Sequence, residues 1–421
     1  MPTNFTEKNI EQLSKEYRSI MDYTMSLTPS TRVKNLIADD DEYRQMTFSL
    51  SDIAQVLNLD AKVNANQLRK LVEQYEAQSG NTILFNNSNH KHFTHEDAED
   101  FLSYCDVDSI RLKRDKGHQF KVPVVYNTQG KGGVGKTTGA VHLGVEAAMD
   151  PSRLPRVLII DRDASQGSVG HLYSSVDDDF EFSSTLPLFQ KYAYLSREER
   201  LSPEVQSELR EVLINEYVLG SYVENLSFIP ASREDIGIEA LISELLAEGT
   251  SKKESYDLAY TIFSDLIIKP LENDFDLVII DSSPSISNEK YALLYAANQL
   301  ILPTTPRTLD LKSAADYRSV IANFVERLAP SDFNGWENIV TFITKCPSNL
   351  KDRADDVLEC CHSVNIVVQE TKAFEVSSGL KRPVQFLKAT HFTGILKQRR
   401  EINRLYNRLA DKIFKNVWET E

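Results

Sequence analysis

The chain has 421 residues, 41% of them hydrophobic, with 47 Lys and Arg against 62 Asp and Glu for a formal net charge of −15 at pH 7. That composition excludes a disordered or collagen-like chain, and the length predicts about two to three domains, one with a full hydrophobic core. No window approaches the ~18 uncharged apolar residues of a membrane span, and the N-terminus has no basic start followed by an apolar run, so a cytoplasmic protein is expected.

Along the chain, Ile10, Leu13, Tyr17, Ile20 and Met21 recur at helical spacing and stop near Pro29, which predicts a helical arm over residues 1–46. Over 47–110, a short helix with Ser51 as its N-cap precedes a second from about Ala65 to Gln78 with Leu68, Leu71, Val72 and Tyr75 inward. This spacing reads as a helix-turn-helix, followed by a two-stranded wing from Asn81–Phe85 and Lys91–Thr94. As a DNA reader it offers Asn64, Asn66, Gln67, Arg69 and Lys70 to a major groove; the other reading is a dimerisation module. Residues 111–120, charged and poor in apolar side chains, are taken as a basic junction ahead of a domain over 121–421.

In that domain apolar, β-branched runs alternate with helical stretches at Val122–Tyr126, Arg156–Asp161, Leu226–Ile229, Phe275–Asp281, Gln299–Pro303, Ile339–Thr344 and Asn365–Gln369. Such alternation predicts an α/β fold, a doubly wound and mostly parallel sheet covered on both faces. Four of only 16 glycines lie at 130, 132, 133 and 135. The segment Gly130-Lys131-Gly132-Gly133-Val134-Gly135-Lys136-Thr137-Thr138 fits G-x-x-x-x-G-K-[ST] between a strand and a helix, the context a phosphate-binding loop requires. Glycines let backbone N–H groups turn inward around phosphate oxygens, and the helix N-terminus adds partial positive charge. Lys136 is then expected at the β- and γ-phosphates of ATP, or at the β-phosphate of ADP, and the Thr137 hydroxyl on Mg²⁺.

Two strands end in carboxylates. Asp281 closes one and is expected to hold Mg²⁺ directly or through water; Asp161 and Asp163 close another, with Asp161 expected to join Thr137 and Asp281 at the metal and Asp163 to align a water. Lys345 and Asn349, beyond the Ile339–Thr344 strand, are assigned near the base. The cysteines Cys105, Cys346, Cys360 and Cys361 form no C-x-x-C and lack His at zinc-ligand spacing, so they read as reduced thiols. Between Lys372 and Lys415 there are eleven basic residues against three acidic ones, in a chain that is acidic elsewhere. Side chains that touch only phosphates give sequence-independent, salt-dependent binding, and Lys372, Lys381, Arg382, Lys388, Lys397, Arg399 and Arg400 are the favoured ones.

Lys131 through Thr138 resembles the deviant Walker A of the ParA/MinD family of P-loop ATPases, in which an extra lysine opens the loop. Asp161-x-Asp163 with Gln166-Gly167-Ser168 resembles the family's D-x-D-P-Q-G switch, with Ala164-Ser165 standing where a single Pro is usual. Asp281-Ser282-Ser283-Pro284 resembles its Walker B, and Ile229-Pro230-Ala231-Ser232 and Leu302-Pro303-Thr304 resemble further segments. The resemblance covers about residues 121–415. It implies a weak Mg²⁺-dependent ATPase in which Lys131 reaches the partner subunit's nucleotide, so that ATP drives homodimerisation, and in which Asp163 is catalytic.

The order arm, helix-turn-helix, junction, ATPase resembles the long, type Ia ParA proteins. That likeness implies nonspecific DNA binding by the ATP dimer, stimulation by a ParB-type centromere-binding protein, operator binding by the N-terminal domain, association with the nucleoid and no membrane. The rival is a MinD-type membrane-associated ATPase, for which Leu396, Ile402, Leu405, Leu409, Ile413, Phe414 and Trp418 supply an apolar stripe beside basic residues; a core-packed final helix explains the stripe as well. A metal-cluster carrier lacks the paired cysteines it needs, and a transcription regulator in which ATP only sets dimer state is the remaining alternative.

Overall fold

The computed structural model describes residues 47–57, 65–84, 91–164, 169, 182–361, 363, 365–388, 391 and 393–415. The expected arm over 1–46, Asn64, the Gln166-Gly167-Ser168 part of the switch and Trp418 lie outside them. The first unit comprises β1 (Phe48–Ser49), α1 (Leu50–Leu57), α2 (Ala65–Ser79), β2 (His92–Phe93) and α3 (His95–Tyr104). Ile53, Val56, Leu68, Val72, Tyr75, Phe93 and Phe101 share one core, so the two helices expected of a helix-turn-helix pack on the faces their periodicity indicated.

Of the expected wing over 81–85 and 91–94, Phe85 lies outside the described residues. β2 pairs antiparallel with β1, Phe48 opposite Phe93, and the Leu84 carbonyl accepts a hydrogen bond from the His92 N–H at 3.0 Å, while residues 81–84 are not assigned to a strand. The pairing places two buried aromatic residues, Phe48 and Phe93, opposite each other in the core. The junction is also corrected. Ser109 caps a helix, α4 (Ile110–Asp115), whose Ile110 is buried and whose Arg114 reaches Asp276 across the fold.

The second unit is built on eight strands: β3 (Val124–Asn127), β4 (Val157–Arg162), β5 (Leu219–Gly220), β6 (Leu226–Ile229), β7 (Leu277–Ser282), β8 (Gln299–Thr304), β9 (Asn338–Cys346) and β10 (Val367–Gln369). Their order is β10-β9-β8-β3-β7-β4-β6-β5, all parallel except the short β5. Each of the seven expected strands is present. Helices α5 (Lys136–Ala148), α6 (Leu186–Tyr192), α7 (Arg197–Arg200), α8 (Pro203–Val212), α9 (Gly237–Glu248), α10 (Lys252–Ala259), α11 (Asn288–Ala296), α12 (Thr308–Asn323), α13 (Lys351–Cys360), α14 (Lys372–Gly379) and α15 (Ile395–Ile413) accompany the sheet.

Successive residues of a buried strand face opposite sides, and the two cores divide on that period. Val124, Tyr126, Leu158, Ile160, Val278 and Ile280 pack with helices α6 and α8 to α12. Val125, Val157, Ile159, Leu277 and Ile279 pack with α5 and α15. The strand order reverses around β3, which lies between β7 and β8, and in open sheets of this kind the crevice at the carboxyl ends of such strands is where ligands bind. Among the described residues no helix is long and apolar enough to cross a membrane.

Candidate nucleotide site

The register of the sheet assembles the site. Asn127 at the end of β3 is opposite Asp281 on β7, and Asp281 is in turn opposite Asp161 on β4. β3 then opens into the glycine-rich loop, which turns into α5 at Gly135. Gly133 and Gly135 have φ of 77° and 86°, left-handed backbone that a β-carbon disfavours, which accounts for glycine at these two places. Three side chains fix the loop from outside. Thr344 Oγ1 donates to the Val134 carbonyl at 2.6 Å, Asn127 Nδ2 donates to the Lys136 carbonyl at 2.5 Å, and Gln129 Oε1 accepts the Gly130 N–H at 2.8 Å. With the Val134 and Lys136 carbonyls held by Thr344 and Asn127, the loop can turn N–H groups beyond Gly130 toward an anion in the manner of a backbone nest.

Lys136 is 7% exposed at the start of α5, and its Nζ lies 3.4 Å from the Lys131 carbonyl. Burial pulls its ammonium below the usual lysine range, opposed by Asp281 and Asp163. Lys131 is half-exposed and forms an ion pair with Asp310 at the start of α12. Burial also pushes the Asp281 carboxyl up to about 8, with Asp161 beside it adding to the effect and the Thr137 side chain and Lys136 offsetting part of it. Both Asp281 oxygens are buried without a well-formed hydrogen bond among the described residues. A buried carboxylate left open beside a threonine hydroxyl fits a hard divalent cation. Asp161, also fully buried, accepts the N–H groups of Asp163 at 2.9 Å and Val169 at 3.1 Å, so it shapes the loop that carries Asp163.

Three residues of the site carried no signal that sequence reasoning used. Arg162, between the two switch aspartates, is buried and donates to Glu289 Oε1 at 2.8 Å, Asp235 Oδ2 at 3.1 Å and Thr185 Oγ1 at 3.1 Å. Lys290 is buried behind the loop, its Nζ 3.5 Å from the Gln129 carbonyl and 4.9 Å from the Tyr317 ring centroid; burial lowers its pKa to about 7. Asp310 is the third. Lys345 is exposed directly after Thr344, which touches the loop, and Asn349 is exposed in the following turn.

The basic residues expected on DNA divide. Arg69 and Lys70 are exposed on α2, and Lys372, Lys397 and Arg400 are exposed on α14 and α15. Lys381 and Lys388 are half-buried. Arg399 is half-buried and its Nη1 donates to the Leu387 carbonyl at 2.9 Å. Arg382 is corrected: it is 6% exposed and packed inward beside Pro383 and Val384, so it does not present its charge to a duplex. The apolar stripe of α15 is likewise accounted for, since Ile402, Leu405, Leu409, Ile413 and Phe414 are buried in the core that α15 forms with α5 and the sheet. No free apolar face remains there for a lipid surface, Leu396 being the one partly exposed member among the described residues.

Residues 121–331 match the family model described as an AAA domain. A replication protein A of Rhizobium rhizogenes is 28% identical over 229 residues, covering 53% of this chain and 51% of its own. Plasmid partition protein A of Escherichia coli is 25% identical over 245 residues, covering 57% of this chain and 55% of its own. The chain therefore spans about half the length of the curated relatives it matches. A solved structure titled Partition Protein superposes with a TM-score of 0.60 at 16% identity over 99% of this chain and 100% of its own, a likeness of fold.

Proposed function

The chain belongs to the ParA family of P-loop ATPases through the AAA domain at residues 121–331, and on that premise we propose that it is a DNA partition ATPase whose ATP-bound dimer holds nonspecific DNA. The observation that carries the reading is the loop of residues 130–138 facing the open, buried Asp281 carboxylate across one row of strand ends. Such a site binds ATP or ADP by its backbone N–H groups, with Lys136 at the β- and γ-phosphates. Thr137 and Asp281 would hold Mg²⁺, which when bound neutralises charge on the phosphates. Asp163 orients the attacking water, and Lys131 supplies positive charge to the nucleotide of a second subunit. Basal turnover is slow, because the chain's own residues complete the site only in the dimer and in the presence of a ParB-type activator.

DNA binding through α14 and α15 is supported by the exposed Lys372, Lys397, Arg400, Arg404 and Arg408, which spread along the outer side of the C-terminal segment. The N-terminal unit, with Arg69 and Lys70 exposed on α2, is proposed to bind operator DNA and so regulate the operon. The test is binding to random-sequence duplex DNA with ATP, ADP or no nucleotide across a salt series. Wild type is expected to bind only with ATP, and Lys397/Arg400/Arg404→Ala to lower the slope of log K against log salt by about 0.9 for each phosphate that is no longer neutralised. DNA binding that ignores nucleotide would overturn the proposal.

A further inference from the structure

The C-terminal basic segment is braced by its own hydrogen bonds and packed on the phosphate-loop helix, with one histidine bonded to both. Within the segment, Arg399 Nη1 donates to the Leu387 carbonyl at 2.9 Å, Ala373 N–H donates to Gln398 Oε1 at 3.2 Å, and the Ser377 hydroxyl donates to the Arg382 carbonyl. His142, on α5 six residues after Lys136, is 2% exposed. Its Nδ1 lies 2.7 Å from the Thr138 carbonyl, one turn back toward the loop. Its Nε2 lies 3.1 Å from the Val384 backbone nitrogen.

A backbone N–H can only donate, so Nε2 must carry the lone pair and Nδ1 the hydrogen. Burial, which lowers the ring's pKa to about 4, keeps that neutral tautomer in place at ordinary pH. The ring sits between Phe374 of α14, at 5.1 Å and 73°, and Tyr406 of α15, at 5.5 Å and 29°. Gln385 Nε2 completes the docking by donating to the His142 carbonyl at 3.2 Å and to Glu146 Oε1 at 3.0 Å.

One imidazole thus joins the carbonyl of Thr138, the residue after the proposed magnesium ligand, to the backbone of the segment that carries Lys372, Lys397 and Arg400. We propose that His142 is a positioning residue that couples nucleotide occupancy of the loop to the DNA surface, so that the C-terminal segment follows movement at the start of α5. This rests on the reading that DNA binding depends on ATP, and it goes beyond it by naming the mechanical joint.

Two substitutions separate the two ring nitrogens. In His142→Asn the side-chain amide lies near the position of Nδ1 and can keep the local bond to Thr138 while losing Val384. In His142→Gln the side-chain amide reaches the position of Nε2 and restores an acceptor for Val384. ATP affinity is measured with a fluorescent ATP analogue, and DNA affinity with random-sequence duplex in ATP and in ADP. His142→Asn is expected to bind ATP as wild type does while its ratio of DNA affinities in ATP and ADP falls by about five- to tenfold; His142→Gln is expected to retain the ratio.

An unchanged ratio in His142→Asn overturns the inference, as does equal loss in both variants. If His142→Asn does not fold, Gln385→Ala, which cuts the same docking from the other side, must lower the ratio for the inference to stand. A wild-type ratio near one would instead remove the DNA-partition reading, which keeps the two failures distinct.

Discussion

Lys131 and Asp310 form an ion pair within one chain, with the other Asp310 oxygen accepting the Thr305 hydroxyl at 2.5 Å. Burial alone would raise the Asp310 carboxyl; Lys131, Thr305 and Arg307 outweigh it and hold the group below the usual carboxylate range. The lysine proposed to serve a second subunit is therefore engaged at home, and dimerisation must exchange one partner for the other.

Asp310→Asn is accordingly expected to favour the dimer. Lys131 is more than a third exposed, so solvent screening limits the pair to about 0.5–1 kcal/mol in each subunit, or about 1–2 kcal/mol per dimer, which corresponds to a roughly five- to thirtyfold lower protein concentration at the midpoint of ATP-driven dimerisation. Sedimentation velocity in ATP reads this directly. An unshifted midpoint would mean that the cis pair does not compete with assembly.

Arg162 is expected to matter through stability before chemistry. Its guanidinium is 2% exposed and faces Asp235, which is fully buried, and Glu289 on α11. Arg162→Met leaves both carboxylates without their cation, and removal of one member of a buried network costs about 3–5 kcal/mol. Urea unfolding should show that loss at an unchanged m-value. A loss below ~1 kcal/mol would indicate that Ser184, Thr185 and Ser232, which also donate to Asp235, suffice.

The strands, the loop and the carboxylates Asp161, Asp163 and Asp281 were legible because each rests on local pattern: β-branched runs, clustered glycines, a carboxylate at a strand end. The order of the sheet was not, since it depends on which strands meet over long sequence separations. Arg382 illustrates the same limit. A basic residue in a basic run reads as surface, and only the packing of residues 377–387 on α5 shows that it turns inward. The junction at 111–120 reads as a linker by charge, whereas Ser109 capping and the buried Ile110 make it a docked helix. Lys290 and Asp310 sit on helices whose relation to the loop exists only in the folded chain.

That docked helix gives a third expectation. Arg114 Nη1 donates to Asp276 Oδ1 at 2.7 Å and to the Phe275 carbonyl at 3.2 Å, and its Nη2 donates to the Glu272 carbonyl at 2.9 Å. Asp276, fully buried at the entry to β7, also accepts from the Arg156 backbone N–H at 2.8 Å and from its side chain. Arg114→Ala therefore removes the anchor of α4 while Asp276 keeps a cation. A stability loss of about 1–3 kcal/mol and faster proteolysis around residues 105–121 are expected, with ATP affinity unchanged. Protection equal to wild type would show that buried Ile110, its N–H bond to the Arg153 carbonyl and the bonds of Ser109 and Arg111 to Glu99 hold the helix without Arg114.

Glu146, buried on α5 beside Gln385 of the C-terminal segment, is expected to make the stability of the fold depend on pH. Burial raises its carboxyl from 4.5 to about 8, the Gln385 side chain offsetting part of the rise and Asp150 adding to it. A folded-state pKa above the unfolded value means that the fold favours the protonated group. Its contribution is full below about pH 4.5 and is lost as pH climbs through about 8, by on the order of 5 kcal/mol as an upper bound. Glu146→Gln cannot ionise and keeps an acceptor for Gln385. The variant's stability relative to wild type should therefore rise steadily between pH 5 and pH 8.5 in parallel urea titrations. Profiles that run parallel would place the proton elsewhere.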